Sequence, residues 1–593
     1  MFRALRIAAV QPSKIVGGRC LATSSEFVQE SPQLKNVFLE DTTLTSFFTR
    51  YVSKEDKPGI HDDLISFGAR AATELLPLAR QCEVEKPWIQ HFDAYGKRVD
   101  KLHVSPAWHA MHNISAREGL IAIAYEDHGT YSRLYQACKL MLFASTSGLY
   151  SCPLAMTDGA VTILKFGAPS PVGDIALPHL LSRSESSFWT SGQWMTEKRG
   201  GSDVAAGTHT VAVGSGQLNS DHKLTGLKWF TSASDANIAL TLARSTDSSG
   251  KPIPGGRGLS LYYVDVQENL KNGTITALRL KDKLGTRQLP TAELNLSDCV
   301  ATKLSEDGRG IASISPMLTI TRLHNSISSV SAMKRMVLLA RDYSRRRTAF
   351  GKHIADFPLH LQTLARMEVE TRGCTVMVLE VARLLSLREK GQATTEQEAL
   401  LRLMVPLAKL YTGKQAVAVV SEGLEAFGGL GYLEDTGLPA MLRDAQVLSI
   451  WEGTTNILSL DVLRAMESTK REAFHAAIKF IKTTTESTGG AEASLGECCT
   501  TLAARTDAFC SAVSRLPVDA YPVAARDFAF SLSRLLIGSL LIDHAAWSKD
   551  EISIAAANRW CSRSDLVTLL SRSAYDASSQ GMDSSLVFDG YLA

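Results

Sequence analysis

One carboxylate, Glu452, stands in the sequence Ile-Trp-Glu-Gly-Thr-Thr-Asn at residues 450–456. Trp451 precedes it and Gly453 follows it, so a turn can hold this side chain partly buried. Burial disfavours the charged form of a carboxylate and therefore favours proton uptake near neutral pH. Such a carboxylate can act as a general base and remove a weakly acidic proton from carbon. The simpler interpretation is an exposed glutamate in a turn that ends a helix.

Two further motifs could together bind a planar ligand that carries phosphate. Gly200 and Gly201 precede Ser202, and glycines before a hydroxyl residue let backbone N–H groups approach phosphate or carbonyl oxygens. Further along, Trp229 is followed by Thr231, a pattern that can cover one face of a heterocycle and hydrogen-bond its edge. Taken singly, the two motifs also fit an ordinary turn and a core aromatic residue in a strand.

The hydrophobic periodicity divides the chain into regions that must position these side chains. In order they are helical at residues 33–185, β-rich at 186–305, helical at 306–470, a linker at 483–497 and a helical tail at 498–593. Within the β-rich region, apolar runs at 238–243 and 259–264 flank a loop rich in Ser, Gly and Pro, which predicts a hairpin. We therefore expect an α+β, multi-domain fold.

Composition narrows the class of protein. With 593 residues the chain is too long for one hydrophobic core. The formal charge of +2 gives no global basic field of the kind that attracts nucleic acid. The ten cysteines include no Cys-x-x-Cys spacing, so neither a zinc site nor a redox dithiol is predicted, and no other metal site is indicated. We expect reduced thiols in an intracellular compartment.

Residues 1–25 have the composition of a mitochondrial transit peptide. Basic residues, among them Arg3 and Arg6, alternate with Ser, Ala and apolar residues, and the first acidic residue is Glu26. This pattern predicts import into the mitochondrial matrix, the alternative being a disordered basic tail. No apolar run approaches the roughly 18 residues that span a bilayer. The strongest run, 535–542, is interpreted as a buried helix.

The motifs occur in an order that resembles the acyl-CoA dehydrogenase flavoprotein family over most of residues 90–470. The segments that carry the resemblance are residues 195–203, 226–232, 347–352, 425–432 and 443–454. Segments similar to the AidB-like branch of the family are residues 98–100, 106–109, 152–157, 283–293 and 456–464. Trp194 departs from the family, which usually has a small residue there, and could alter the pocket beside the cofactor.

The resemblance implies a fold and a reaction. The fold would be an N-terminal helical domain, a β-barrel-like middle domain and a C-terminal helical bundle, followed here by an extra helical tail. FAD would be the cofactor, and the reaction would convert an acyl-CoA thioester to trans-2-enoyl-CoA. Glu452 would be the base, hydride would pass to flavin N5, and an electron-transfer flavoprotein would be the probable electron acceptor.

The resemblance also assigns roles to individual residues. The positions implied to bind the cofactor are Met195, Thr196, Gly201, Ser202, Trp229, Thr231, Arg347, Phe350, Gly428, Gly429, Thr454 and Asn456. Thr196 and Thr231 would hydrogen-bond the flavin edge, and Trp229 would pack on its ring. Arg347 would reach the cofactor of a neighbouring subunit, which implies a homodimer or homotetramer. Arg322 would lie near the catalytic carboxylate and the substrate.

Two functions of other classes compete with this one. The AidB-like branch includes flavoproteins associated with stress protection and nucleic acid, but residues 470–593 contain 12 Lys and Arg against 14 Asp and Glu, a poor composition for binding phosphates. A sensor that binds acyl-CoA without catalysis is the second competitor, and the presence of Glu452 argues against it. Within enzymes, an oxidase that passes electrons to oxygen is a further alternative.

Overall fold

The computed structural model describes residues 28–55, 57–569 and 572–592. The predicted transit peptide at 1–25 lies outside these ranges. The first helical region comprises α1 (Thr42–Tyr51), α2 (Pro58–Thr73), α3 (Leu75–Val84), the strands β1 (Trp88–Phe92) and β2 (Arg98–His103), α4 (Pro106–Arg117), α5 (Ser132–Ala144), α6 (Ser151–Phe166) and α7 (Pro171–Leu180). Strands β1 and β2 form an antiparallel hairpin that the mainly helical pattern did not reveal.

The middle region is a twisted sheet that closes on itself. Its elements are β3 (Ser191–Trp194), α8 (Val204–Gly207), β4 (Val211–Gly214), β5 (Asp221–Ser232), β6 (Ile238–Arg244), β7 (Leu259–Asp265), α9 (Val266–Lys271), β8 (Ile275–Leu280) and β9 (Thr291–Lys303). The strand order is β3-β6-β4-β5-β9-β7, and β7 also pairs with β6, which joins the two sides into a barrel. Strands β6 and β7 are antiparallel from Ile238 opposite Asp265 to Arg244 opposite Leu259, so the predicted hairpin is confirmed.

Long helices build the rest of the chain. They are α10 (Gly310–Arg346), then the short strands β10 (Thr348–Ala349) and β11 (Lys352–His353), α11 (Pro358–Glu389), α12 (Thr395–Ala426), α13 (Leu438–Val447), α14 (Thr455–Ser468), α15 (Glu472–Gly489), α16 (Gly496–Arg515), α17 (Tyr521–Ser548), α18 (Glu551–Cys561) and α19 (Ala577–Val587). A capping box starts α12, since Thr394 and Gln397 exchange side-chain-to-backbone hydrogen bonds. The α+β, multi-domain fold predicted from the sequence is confirmed.

The prediction of a linker at 483–497 is wrong over its first half. Helix α15 continues to Gly489, and α16 begins at Gly496. The threonines and glycines of this stretch favour turns, but Thr484 and Thr485 are buried against the bundle. Their hydroxyls donate to carbonyl oxygens one turn earlier, at 2.9 and 3.1 Å. Tertiary packing therefore outweighs the local preference.

The apolar run at 535–542 lies inside α17. Among the described residues, one helix, Val518–Ser548, is long and apolar enough to cross a membrane, but 89% of its most apolar window is buried within the protein. Leu535, Leu536 and Ile537 are fully buried. The helix therefore belongs to the core of the bundle, as expected from the sequence.

Candidate active site

The loop between α13 and α14 carries Glu452 in a backbone conformation that most residues avoid. Glu452 has a φ of 56° and Gly453 a φ of 110°. A non-glycine residue in the left-handed region costs on the order of 1 kcal/mol or more, which the surroundings must offset. The Thr321 hydroxyl of α10 donates a hydrogen bond to Glu452 Oε2 at 2.6 Å. The half-buried carboxylate is thereby held in one orientation.

Two long helices hold the backbone of the same loop. Arg322 Nε of α10 donates to the Glu452 carbonyl oxygen at 3.4 Å, and Lys409 Nζ of α12 donates to the Gly453 carbonyl oxygen at 2.6 Å. Arg322 also forms a 2.7 Å ion pair with Asp461 of α14, and the two side chains are only 16% and 14% exposed. The structure thus places Arg322 beside Glu452 and adds Lys409, which the sequence did not single out.

Asp444 in α13 connects this loop to the middle domain. Its Oδ1 accepts a hydrogen bond from the Thr286 backbone N–H at 2.6 Å, and burial raises the pKa of Asp444 to about 7. Gly285 permits the contact, because a Cβ there would lie 2.5 Å from the carbonyl group of Arg443. Burial also lowers the pKa of the nearby Lys283 to about 8. The segment around Thr286 and the segment around Asp444 both carry motifs that resemble the family, but no feature of the sequence shows that they are in contact.

A buried ion pair supports the glycine-rich turn at residues 197–203. Lys228 Nζ of β5 donates to Glu197 Oε1 at 2.8 Å, and the side chains are 0% and 4% exposed. The Glu197 carboxylate also accepts hydrogen bonds from the backbone N–H groups of His209 and Thr210 and from the Thr210 hydroxyl. Glu197 and Lys228 are therefore buried supports that fix the shape of the turn.

The tip of the turn presents open backbone. Gly201 and Ser202 are exposed, and a Cβ added to Gly201 would meet only Thr196, at 3.6 Å. Met195 and Thr196 are half-buried where β3 leads into the turn. In the same strand, Gln193 Oε1 is a buried acceptor that has no hydrogen-bond partner among the described residues. The turn thus offers a ligand accessible N–H groups, and the adjoining strand β3 contains an unpaired buried acceptor.

Thr231 does not face a ligand surface. Its side chain is fully buried and its hydroxyl donates to the Ala292 carbonyl oxygen at 2.6 Å. The prediction that this hydroxyl contacts the edge of the cofactor is therefore wrong. An irregularity in the β5–β9 register between Lys228 and Thr231 changes the alternation that a regular strand would have.

The neighbouring residues of β5 form the accessible aromatic surface. Phe230 is 46% exposed near the C-terminal end of β5, and the half-buried Ser232 shares a 3.0 Å hydrogen bond with the Thr291 hydroxyl. Trp229 is half-buried, and Lys281 Nζ lies 3.0 Å from the centroid of its ring. Phe230 was not singled out from the sequence, although it stands next to Trp229 in the same motif.

Further open backbone lies at the C-terminal end of α12. Gly428 and Gly429 are exposed, and a Cβ added to either would meet no atom within 4 Å. Phe350, between β10 and β11, is 97% exposed with a φ of 51°. Arg347 Nη1 donates to the Gln29 side chain at 3.2 Å. These surfaces leave room for a second molecule of protein or ligand.

The N-terminus of α14 joins the loop to the C-terminal tail. Thr454 is the N-cap residue, but its side chain makes no capping hydrogen bond. Asn456 is exposed and its Oδ1 accepts a hydrogen bond at 3.0 Å from Arg526 Nη1 of α17. The tail therefore contacts a residue that the resemblance to the family predicts to lie beside the cofactor.

Trp194 lies in the core of the barrel. It is 1% exposed and packs with apolar residues of the middle domain, such as Leu224 and Tyr262. Gly192 makes room for it, because a Cβ there would lie 2.4 Å from Trp194 Nε1. The concern that Trp194 narrows a ligand pocket is therefore not supported.

Sequence models of known protein domains match consecutive stretches of the chain. They describe an adaptive response protein AidB N-terminal domain at residues 29–184, an acyl-CoA dehydrogenase middle domain at 192–299, an acyl-CoA dehydrogenase C-terminal domain at 308–467 and an acyl-CoA dehydrogenase 11 C-terminal domain-like region at 472–588. The chain is also 45% identical to acyl-CoA dehydrogenase family member 11 of Caenorhabditis elegans, over 96% of this chain and 94% of that protein. The chain belongs to the acyl-CoA dehydrogenase family.

Two further similarities agree with this membership. The AidB protein of Escherichia coli is 32% identical over 73% of this chain and 78% of its own length. The crystal structure of Caenorhabditis elegans ACDH-11 in complex with C11-CoA superposes with a TM-score of 0.91 at 43% identity, covering 96% of this chain and 98% of that one. The resemblance to the family and to its AidB-like branch is therefore confirmed.

Family membership makes FAD the cofactor of this oxidoreductase, and the residues present fit such a group. FAD combines a planar ring with hydrogen-bonding edges and a diphosphate. Phe230 supplies an exposed aromatic face, and Gln193 Oε1 supplies a buried acceptor that has no protein partner in the described chain. Gly201, Gly428 and Gly429 supply backbone that a phosphate could approach closely.

Proposed function

We propose that this protein is an FAD-dependent acyl-CoA dehydrogenase that converts an acyl-CoA thioester to trans-2-enoyl-CoA. The observation that carries the proposal is the half-buried Glu452 carboxylate, which Thr321 fixes in a loop of left-handed backbone. A similar protein, ACDH-11 of Caenorhabditis elegans, is described in complex with C11-CoA, which supports an acyl-CoA as the ligand.

Glu452 is proposed to take the proton from the α-carbon. Thr321 engages Oε2, which leaves Oε1 to receive the proton. No hydrogen bond among the described residues uses the Glu452 backbone N–H, so this group is available to polarise the thioester carbonyl. A preorganised donor of that kind stabilises the negative charge that develops on the carbonyl oxygen as the proton leaves.

The second hydrogen leaves the β-carbon with its electron pair. Bound FAD supplies the redox chemistry of that step, which no side chain can supply. The protein's part is to hold the substrate between Glu452 and the cofactor surface at Phe230 and the 197–203 turn. Rigid supports such as the buried Glu197–Lys228 pair suit this role.

The location and partners follow from the same proposal. The basic, acid-poor composition of residues 1–25 supports import into the mitochondrial matrix. An electron-transfer flavoprotein is then the expected electron acceptor, with oxygen as the alternative. The exposed Phe350 and the open Gly428–Gly429 backbone support a homodimer or homotetramer.

Anaerobic titration with acyl-CoAs tests the function. Purified protein loaded with FAD is mixed with straight and branched acyl-CoAs of increasing chain length, including the eleven-carbon one. Reduction of the flavin is followed as the loss of its absorption band at about 450 nm. Wild type is compared with Glu452→Gln and with Glu467→Gln, which changes an exposed glutamate of α14.

We expect one class of acyl-CoA to bleach the wild type and the Glu467 variant. Loss of a general base typically slows a reaction by about 10²–10⁴-fold, so bleaching by the Glu452 variant should be slower by at least that factor. Tight acyl-CoA binding without bleaching of any of the three proteins would refute the dehydrogenase and indicate a non-catalytic sensor. Rapid re-oxidation of the bleached protein by air would favour oxygen as the acceptor.

A further inference from the structure

Lys409 is a buried cation directly beneath the catalytic loop. Its side chain, on α12, is 0% exposed, and Nζ donates to the Gly453 carbonyl oxygen at 2.6 Å. Within the described ranges, no carboxylate oxygen lies within the 4.0 Å ion-pair distance of this Nζ. The hydrogen bond to the loop is therefore its one direct polar contact there.

Burying an ammonium group without an ion-pair partner is unfavourable by several kcal/mol. Burial lowers the pKa of Lys409 to about 7; the charge of Glu452 opposes this shift, and that of Arg322 adds to it. An apolar residue of similar length would fill the same space at lower cost. A stabilising role in the core therefore does not account for a lysine at this position.

The carbonyl group that Lys409 contacts lies in a short stretch of backbone with positive φ angles. Gly453 has a φ of 110° and Glu452 a φ of 56°. The carbonyl oxygen of Gly453 faces Lys409 only while the loop keeps this conformation. Arg322 holds the preceding carbonyl from α10 at 3.4 Å, which is a longer contact. Thr321 holds the carboxylate but no backbone atom of the loop. Lys409 thus makes the shortest hydrogen bond from another helix to the loop backbone at these two residues.

We propose that Lys409 is a positioning residue, which holds the Gly453 carbonyl and thereby keeps the Glu452 backbone N–H and carboxylate aligned on the substrate. The inference rests on the proposed function, because it assigns Lys409 a role in the alignment of the base. Lys409 touches neither reacting carbon, and its effect is transmitted through the loop.

Two substitutions at Lys409 and one control test this role. Lys409→Met keeps the length of the side chain and removes the donor, and Lys409→Gln keeps a neutral N–H donor. Lys414→Met removes a cation from an exposed position later in the same helix. For each protein, the limiting rate of flavin reduction by acyl-CoA, the acyl-CoA dissociation constant and the unfolding temperature are measured.

We expect Lys409→Met to slow flavin reduction by about 10–100-fold, the loss that corresponds to one misaligned hydrogen bond in the transition state. The acyl-CoA dissociation constant should change by less than about threefold, because only alignment is lost. The unfolding temperature should be unchanged or higher, since a buried charge has been removed. Lys409→Gln should recover part of the rate, and Lys414→Met should equal the wild type.

Crystal structures of the wild type and Lys409→Met provide a readout that does not depend on activity. We expect Glu452 to leave the left-handed region in the variant. A variant that keeps this backbone and reduces its flavin at the wild-type rate would overturn the inference. So would a rate loss that is matched by a lower unfolding temperature and weaker FAD binding, because Lys409 would then be merely structural. A wild type that no acyl-CoA reduces refutes the proposed function instead, and the crystal structures alone then decide whether Lys409 positions the loop.

Discussion

Replacing Lys228 with methionine would leave Glu197 as a buried carboxylate without its cation. The pair is 0% and 4% exposed, and removing one partner of a buried pair costs about 3–5 kcal/mol. Protonation of Glu197 sets an upper limit on this destabilisation, because protonating a glutamate of ordinary pKa at pH 7 costs about 3–4 kcal/mol. Glu197 keeps its donors from His209 and Thr210. We therefore expect the unfolding free energy to fall by about 3 kcal/mol at pH 7.

The same variant should be less destabilised in acid. In the wild type, burial raises the pKa of Glu197, but Lys228 and the hydrogen bonds outweigh it and the pKa lies below its ordinary value. Without Lys228, burial acts unopposed by a cation and the folded-state pKa rises above the unfolded one. A raised folded-state pKa gives stability that is present at low pH and lost as pH rises. The deficit should therefore shrink by up to about 1.4 kcal/mol per pH unit from pH 7 toward pH 5.

Urea unfolding at several pH values measures this effect. The proteins are wild type, Lys228→Met, Glu197→Gln and the double variant, followed by circular dichroism, with the FAD dissociation constant measured in parallel. The double variant should recover most of the stability, because neither charge is then buried alone. FAD binding should weaken in Lys228→Met, since the 197–203 turn loses its support. A deficit that is independent of pH and is not relieved in the double variant would refute the reasoning.

Three other substitutions have defined outcomes. Thr321→Val should slow flavin reduction by about 10-fold without lowering the unfolding temperature, because Glu452 loses a charge-assisted hydrogen bond; an unchanged stopped-flow rate would contradict this. Phe230→Ala should weaken FAD binding by about 10-fold in a fluorescence titration through loss of aromatic contact, and equal affinity would exclude the contact. Because the folded-state pKa of Asp444 is about 7, its contribution to the unfolding free energy should fall as pH rises from 4 to 7, by up to about 1.4 kcal/mol per pH unit. Asp444→Asn should flatten that slope in urea unfolding, and an unaltered slope would refute the assignment.

The sequence predicted the parts of this molecule that depend on local pattern. The alternation of apolar residues identified the hairpin of β6 and β7, and the long apolar run placed α17 in the core. The order of motifs identified the family before any comparison. Glu452 was singled out because a carboxylate between a tryptophan and a glycine can be partly buried, although its role as base stays a prediction.

The errors arise where tertiary structure overrides the pattern. Thr231 was assigned to the cofactor edge by its position in a motif, and the irregular register of β5 turns its side chain inward instead. The contact of Thr286 with Asp444 joins residues 158 positions apart, and no local feature of the sequence records it. Lys409 was missed because a lysine within a helix is usually exposed, whereas this one is buried.

Helix α17, in the C-terminal tail, is part of the packing that holds the catalytic half of the protein together. It packs against α11, where Gly373 is needed because a Cβ would lie 2.7 Å from Ile537. Near its C-terminal end, Asp543 accepts a 2.6 Å hydrogen bond from Arg50 of α1, so the first helix of the described chain is joined to the longest helix of the C-terminal tail. A premature stop codon before residue 521 would therefore not produce a shorter enzyme with an intact catalytic half. It would produce a bundle in which the surfaces of α11, α12 and α14 that α17 covers are exposed to solvent. We expect the cell to degrade such a protein.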